Sequence, residues 1–262
     1  MMGNGQWAMV ALVGAAFMAA PSCSPQRTSP APTHGRDVIA RMHDAYRGRW
    51  YNTLVFEQRT LFIRPNGTRD SILWYEAVKG ADRLRIDFGS PTSGNGAIFT
   101  AESTIAVREG AVTRRIGRGN PFLPLIQGVY LQAPAETERQ LAPFGFALDR
   151  VYFTTYDSRP TIVVGATSVT DTTSTQFWVD TERWVLLRML LAPPTGSGPM
   201  TDAQLRGYER VADGRAWLAT RILIVTGAQQ QIEDYQNWRV NVPLDDVLFD
   251  PAQWRTAPHW AR

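Results

Sequence analysis

Few side chains in this 262-residue sequence could carry covalent chemistry. Histidine is the residue best suited to move protons near neutral pH, and there are three: His34, His43 and His259. His34 falls in a Pro/Ser/Thr-rich stretch, His43 stands beside Asp44 in a helical pattern, and His259 lies near the C-terminus, so all three read as solvated surface residues. The adjacent carboxylates Asp245 and Asp246 could divide acid and base roles, but they follow Pro243 in a loop pattern where solvated turn carboxylates are expected. The spacings H-E-x-x-H, G-x-S-x-G and G-x-x-x-x-G-K-[ST] do not occur, and with them go the sequence signatures of a zinc pair, a nucleophile elbow and a phosphate cradle. The expectation is a protein that is not an enzyme, with no catalytic residue, no metal ligand and no cofactor.

The single cysteine, Cys23, rules out a disulfide framework and a Cys-based metal cage. Its position carries more information. Trp7–Ala20 is an uncharged, mostly apolar run of 14 residues, too short to span a bilayer and of the size of an export-signal h-region. Ala20-Pro21-Ser22-Cys23 follows at once and resembles a bacterial lipobox, whose cysteine becomes the lipidated first residue of the mature protein; the alternative is plain cleavage nearby. The next residues, S-P-Q-R-T-S-P-A-P-T, bury too little apolar surface to fold. The expected organisation is a signal peptide over 1–22, a flexible tether over 23–35 and one folded domain over 36–262.

That domain can afford a core, since 44% of the chain is hydrophobic and 19% charged. Its 27 basic and 24 acidic residues form no Lys/Arg run, so nucleic acid is not an expected partner.

The elements that must position any site are mostly strands. Arg36–Arg47 has a helical stripe of Val38, Ile39, Met42, Ala45 and Tyr46. From Thr53 onward, β-branched and aromatic runs alternate with short polar breaks. Asn66-Gly67 signals a hairpin, and Pro160–Leu191 reads as a meander in which Phe177 and Val179 return towards Val185 and Leu187. The strand series is interrupted once. Asn120-Pro121 opens a helical pattern with Phe122, Leu125, Ile126 and Val129 on one stripe, followed by a short helix over Ala135–Leu141; a lid or plug and an ordinary core helix are both open readings. The tail carries Leu248, Phe249 and Trp254 and is expected across an open edge. The count is ten or eleven strands in an all-β fold: one incomplete, half-open antiparallel β-barrel with helices covering its concave face. Such a curved sheet must close, cover its apolar face or expose it. Covered by the interrupting segment, it would leave a cleft for methylene chains. Candidate lining residues are Leu54, Phe56, Leu73, Leu84, Ile86, Phe88, Phe122, Leu125, Ile126, Val129, Phe177 and Val179.

In order along the chain, D-V-I-A-R-M-H-D-A-Y from Asp37, T-L-V-F-E-Q-R-T from Thr53, D-R-L-R-I-D from Asp82, V-V-G-A from Val163, Q-F-W-V-D-T-E-R from Gln176 and L-F-D-P from Leu248 resemble the LolA/LolB superfamily of bacterial periplasmic lipoprotein-sorting proteins, which also holds the RseB/MucB-type sensors. The resemblance implies an unclosed barrel of about eleven strands whose cavity takes lipoprotein acyl chains, with Leu84 at a position that faces it. Where carriers of this type hold the lid with an arginine, this chain has Lys79-Gly80. The implied partners are lipoprotein acyl chains or lipids, the membrane through a lipidated Cys23, and a periplasmic protein. The implied location is the periplasm, with an anchor in the outer membrane. An envelope-stress sensor that binds a lipid signal and a regulatory protein is the first alternative; a secreted hydrolase is the second, disfavoured for want of a placed nucleophile and base.

Overall fold

The computed structural model describes residues 30–260, so the expected signal peptide, Cys23 and most of the expected tether lie outside the described residues. The helix α1 (Gly35–Tyr46) buries Val38, Ile39, Met42 and Tyr46 on one face. Its first turn is closed by the Asp37 carboxylate, which accepts from the backbone N–H of Thr33 at 3.1 Å and of His34 at 3.0 Å. The Thr33 bond leads in holding this carboxyl below its ordinary range.

One antiparallel sheet of thirteen strands follows, in the order β6-β5-β4-β3-β2-β1-β13-β12-β11-β10-β9-β8-β7. Its first half is β1 (Thr53–Ile63), β2 (Arg69–Lys79), β3 (Arg83–Phe88), β4 (Gly96–Phe99), β5 (Thr104–Arg108) and β6 (Ala111–Ile116). The second half is β7 (Val151–Tyr156), β8 (Arg159–Val164), β9 (Gln176–Asp180), β10 (Leu186–Leu191), β11 (Thr201–Val211), β12 (Ala216–Thr226) and β13 (Gln229–Val240). The strands β6 and β7 do not pair, so the barrel is open, as expected. Thirteen strands exceed the ten or eleven expected because the short runs β4, β5 and β6 each pair as a separate strand.

The segment between the two free edges holds a π turn over Pro124–Gly128, a single turn α2 (Val129–Leu131) and the helix α3 (Pro134–Leu141). A wider turn than 3.6 residues splits the expected Phe122/Leu125/Ile126/Val129 stripe. Leu125 and Val129 are fully buried in the main core with Met42 and Ile39 of α1, while Phe122 and Ile126 are only partly buried at its border.

Strand alternation sorts the sheet residues in the same way. Ile162, Val164, Phe177 and Val179 lie in one core with α1 and are wholly buried. A bulge shifts the meander's register, so Val179 pairs with Leu186 and Phe177 with Met189 rather than with Val185 and Leu187. On the opposite face of β1 to β5, Val55, Ala77, Ile98, Ile105 and Val107 also need cover. The tail supplies it: Leu248 and Phe249 pack on Val55 and Ala77, and Trp254 on Ile98, Ile105 and Val107. The tail thus crosses a sheet face, not an edge. Beneath it Arg85 and Asp87 form an ion pair through two bonds of 2.8 and 3.1 Å, with side chains 2% and 0% exposed.

Candidate functional cavity

The inner face of β1 to β4 and β11 to β13 is not filled by protein. A cavity of about 300 Å³ remains there beneath the π turn, at the lower end of the ~300–1,000 Å³ typical of ligand pockets. Its walls include Leu54 and Phe56 of β1, Trp74 and Val78 of β2, Leu84, Ile86 and Phe88 of β3, and Leu218, Ala219 and Ile222 of β12. Phe122, Leu123, Ile126, Gln127 and Tyr130 roof it.

Seven of the twelve candidate residues therefore meet around one hollow: Leu54, Phe56, Leu84, Ile86, Phe88, Phe122 and Ile126. Five do not. Leu73 directly precedes the cavity-lining Trp74, so alternation turns it to the other face. Leu125 and Val129 sit on the α1 side of the π turn, and Phe177 and Val179 belong to the half of the sheet that α1 fills. Trp74, Tyr130, Tyr235 and the residues of β12 were missed, although the alternation that selects Leu54 and Phe56 also selects Trp74 once the register of β1 and β2 is known.

The roof is fastened by aromatic contacts and one amide. The rings of Trp50 and Tyr130 stack at 3.7 Å between centroids, and Tyr46 meets both edge-on at 4.9 and 5.3 Å. The Tyr130 hydroxyl donates to the Trp184 carbonyl at 3.1 Å, and Tyr46 to that of Arg183 at 2.5 Å. The Gln127 amide donates to the backbone carbonyls of Tyr51 and Gly80, both at 3.1 Å, and accepts from the Trp50 indole at 3.0 Å. Gly128 allows this approach, because a Cβ there would stand 3.0 Å from the Ala81 carbonyl oxygen and 2.9 Å from the Gln132 amide nitrogen. Lys79 turns away to the Leu244 carbonyl and to Asp246, each bonded at 2.6 or 2.7 Å.

Two carboxyl groups interrupt the apolar wall. Glu76 of β2 and Glu233 of β13 both line the cavity and are 4% and 8% exposed. Burial, and next the charge of Glu233, push the Glu76 carboxyl well above its ordinary range. Burial likewise pushes Glu233 up to about 7, against hydrogen bonds from Gln231 and Gln58 that act the other way. Two neighbouring acids with raised pKa values in a cleft are a feature active sites share. Here no nucleophile stands with them in the lining, and among the described residues no group of three His, Cys, Asp or Glu could hold a metal ion.

The histidines lie elsewhere. His34 is exposed. His43 Nδ1 is 3.1 Å from the Val129 carbonyl and half-buried. The His259 side chain, expected in solvent, is 8% exposed, stacked on Trp260 and 3.7 Å from Asp87, because the tail carries it under cover. None of the three lines the cavity. No described helix is long and apolar enough to cross a membrane.

No family model matches the sequence, and no curated protein does. Solved structures do. The chain is similar to a DUF1329 family protein from Desulfovibrio piger, with a TM-score of 0.56 and 15% identity over 82% of this chain and 95% of that one. It is similar to a LolA superfamily protein from Nitrosomonas europaea, with a TM-score of 0.54 and 13% identity over 84% and 98%. An outer membrane lipoprotein-sorting protein domain from Vibrio parahaemolyticus aligns with a TM-score of 0.55 and 10% identity over 83% and 97%. At such identities the likeness is one of fold alone, shared among others with a LolA superfamily protein.

Proposed function

We propose that this protein is a non-enzymatic binding protein that accepts or carries lipoproteins or lipids by enclosing an acyl chain in the cavity under Phe122 and Ile126. The observation that carries the reading is the hollow itself: side chains from eight strands, most of them apolar, and a helical roof surround about 300 Å³ that the protein's own side chains leave open. Each methylene moved from water into such a site gains about 0.8 kcal/mol, so a chain of a dozen gains roughly 10 kcal/mol before ordering costs. No further chemistry is needed to hold it. The Vibrio parahaemolyticus protein of similar fold is described as an outer membrane lipoprotein-sorting protein domain, which fits an exported protein that works in the periplasm. Export by the apolar run Trp7–Ala20, and an outer-membrane anchor through lipidated Cys23, complete the proposal; both rest on the sequence alone.

Native mass spectrometry of the full-length protein, purified from the envelope of its own cells, tests the central step. The expected spectrum contains a species heavier than the polypeptide by one lipid or lipoprotein. A protein that arrives empty and takes up no methyl dodecanoate in titration overturns it. Fractionation of Cys23→Ala tests the anchor separately: the variant is expected to leave the membrane fraction, and an unchanged distribution removes the anchor from the proposal.

A further inference from the structure

The polar groups of the cavity fall into two sets. Those of Trp50, Gln127, Tyr130 and Tyr208 are engaged by protein partners. A second set gathers on three adjacent strands, β2, β1 and β13. Gln58 of β1 is in register with Trp74 of β2 on one side and Tyr235 of β13 on the other, while Phe56 pairs with Glu76 and Thr60 with Glu233. Glu233 is held by the Gln231 amide at 2.5 Å, and Gln58 donates to Thr60 at 2.9 Å. Among the described residues the Glu76 carboxyl, 4% exposed and facing the cavity, has no hydrogen-bond partner. Neither has the indole nitrogen of Trp74, which is buried, nor the hydroxyl of Tyr235.

Buried polar groups without partners are uncommon in folded proteins. The buried Trp74 indole N–H, the Tyr235 hydroxyl and a Glu76 carboxyl whose carbonyl oxygen accepts even when protonated stand on one wall of one cavity, and a guest with both a donor and an acceptor would satisfy them. The lining also contains two carboxyl groups and no Lys, Arg or His; Arg183 and Arg210 stack on the Trp217 ring but are not part of it. An anionic guest would bring its charge into this apolar hollow with no counterion to meet it.

We propose that the cavity selects an acyl chain headed by a secondary amide, whose N–H is accepted by Glu76 and whose carbonyl takes the Trp74 and Tyr235 donors, and that it rejects free carboxylates. This rests on the reading that the cavity holds an acyl chain and names the group next to that chain.

Titration calorimetry of the full-length protein with three probes of one tail length, N-methyldodecanamide, methyl dodecanoate and dodecanoate, tests it. The ester keeps the carbonyl and lacks the N–H. The amide is expected to bind at least about tenfold more tightly than the ester, the scale of one well-made buried hydrogen bond, and dodecanoate more weakly than both. Glu76→Leu, which removes a buried group without a partner, is expected to fold and to cut the amide's advantage over the ester below about threefold, whatever the affinity of either probe becomes. Equal affinities for amide and ester, tighter binding of dodecanoate, or an amide preference that survives Glu76→Leu would each overturn the selection while leaving acyl-chain binding in place. Failure of all three probes to bind would overturn the acyl-chain reading together with it.

Discussion

Gln127 and Trp50, 77 residues apart, share a hydrogen bond of 3.0 Å that ties the roof of the cavity to the start of the sheet. The same amide reaches the Gly80 carbonyl in the β2–β3 turn. The resemblance to lid-bearing carriers left a latch in question where Lys79-Gly80 stands. The geometry resolves how the roof is held: the backbone of Gly80 accepts, and Gln127 on the roof donates.

Gln127→Leu therefore leaves one buried indole N–H and two carbonyls without partners. Each costs about 1–3 kcal/mol, so the variant is expected to lose several degrees in Tm. Because the lost bonds hold the roof and not the far half of the barrel, release of a bound alkyl probe is expected to quicken by roughly tenfold. Stopped-flow release kinetics check this. A lowered Tm with unchanged release would mark Gln127 as a support for the fold alone.

Ala219 offers the opposite change. It faces Tyr208 across β11 and β12 and lines the cavity at 8% exposure. Ala219→Phe places a ring in the hollow where a guest would lie. Filling an existing void without moving the backbone costs little stability, whereas overpacking a filled core costs about 1–3 kcal/mol. The expected result is a loss of methyl dodecanoate affinity of tenfold or more with a nearly unchanged urea midpoint. A midpoint that collapses would mean that the space is too small to receive even one ring.

The sheet was legible in the sequence because alternation and turn residues repeat the same message along most of the chain. The unpaired edges β6 and β7 follow from it, since the apolar segment from Phe122 to Leu141 lies between them. The lining was half legible. Leu54, Phe56, Leu84, Ile86 and Phe88 obey the two-residue period, while Phe177 and Val179 obey it as well and face a region that α1 fills; no local pattern says which half of a barrel a distant helix will occupy. Leu125 and Val129 were misplaced because a π turn does not keep a 3.6-residue period. Glu76 and Glu233 read as polar interruptions until the pairing with β1 set them on the inner face.

The outer face of β3 gives a third test. Arg83, Arg85 and Asp87 alternate as a polar face, yet Arg85 and Asp87 lie under the tail. Arg85 also donates to the carbonyls of Leu248 and Trp254, each at 3.2 Å, and its guanidinium lies 3.9 Å over the Trp254 ring. Breaking a buried pair by removing one partner typically costs about 3–5 kcal/mol. Asp87→Ala is expected to fall in that range by urea unfolding and to expose the tail to proteolysis before the sheet opens. A cost below about 1 kcal/mol, the scale of exposed pairs, would show that solvent reaches Arg85.

The buried acids set the pH dependence of stability. Glu233 rises from the usual 4.5 to about 7 on folding, first through burial, and Glu76 rises in the same direction through burial and the charge of Glu233. Tyr235, on the same strand as Glu233, is pushed up as well and stays neutral across this range. Between pH 4.5 and 7 the folded protein keeps the Glu233 proton that the unfolded chain has released, so stability is fully present below 4.5 and falls as pH rises through 7. At about 1.4 kcal/mol per pKa unit the loss is on the order of 3 kcal/mol for Glu233, and Glu76 adds to it. The carboxyls held below their ordinary range, Asp37, Glu136, Asp171 and Asp246, oppose this only at lower pH, where they begin to take up protons. Urea unfolding is therefore expected to show a less stable protein at pH 7.5 than at pH 5, and Glu233→Gln, which is neutral at both, is expected to narrow that gap. A wild-type protein that grows more stable over this interval would place the Glu233 carboxylate in contact with water or a cation.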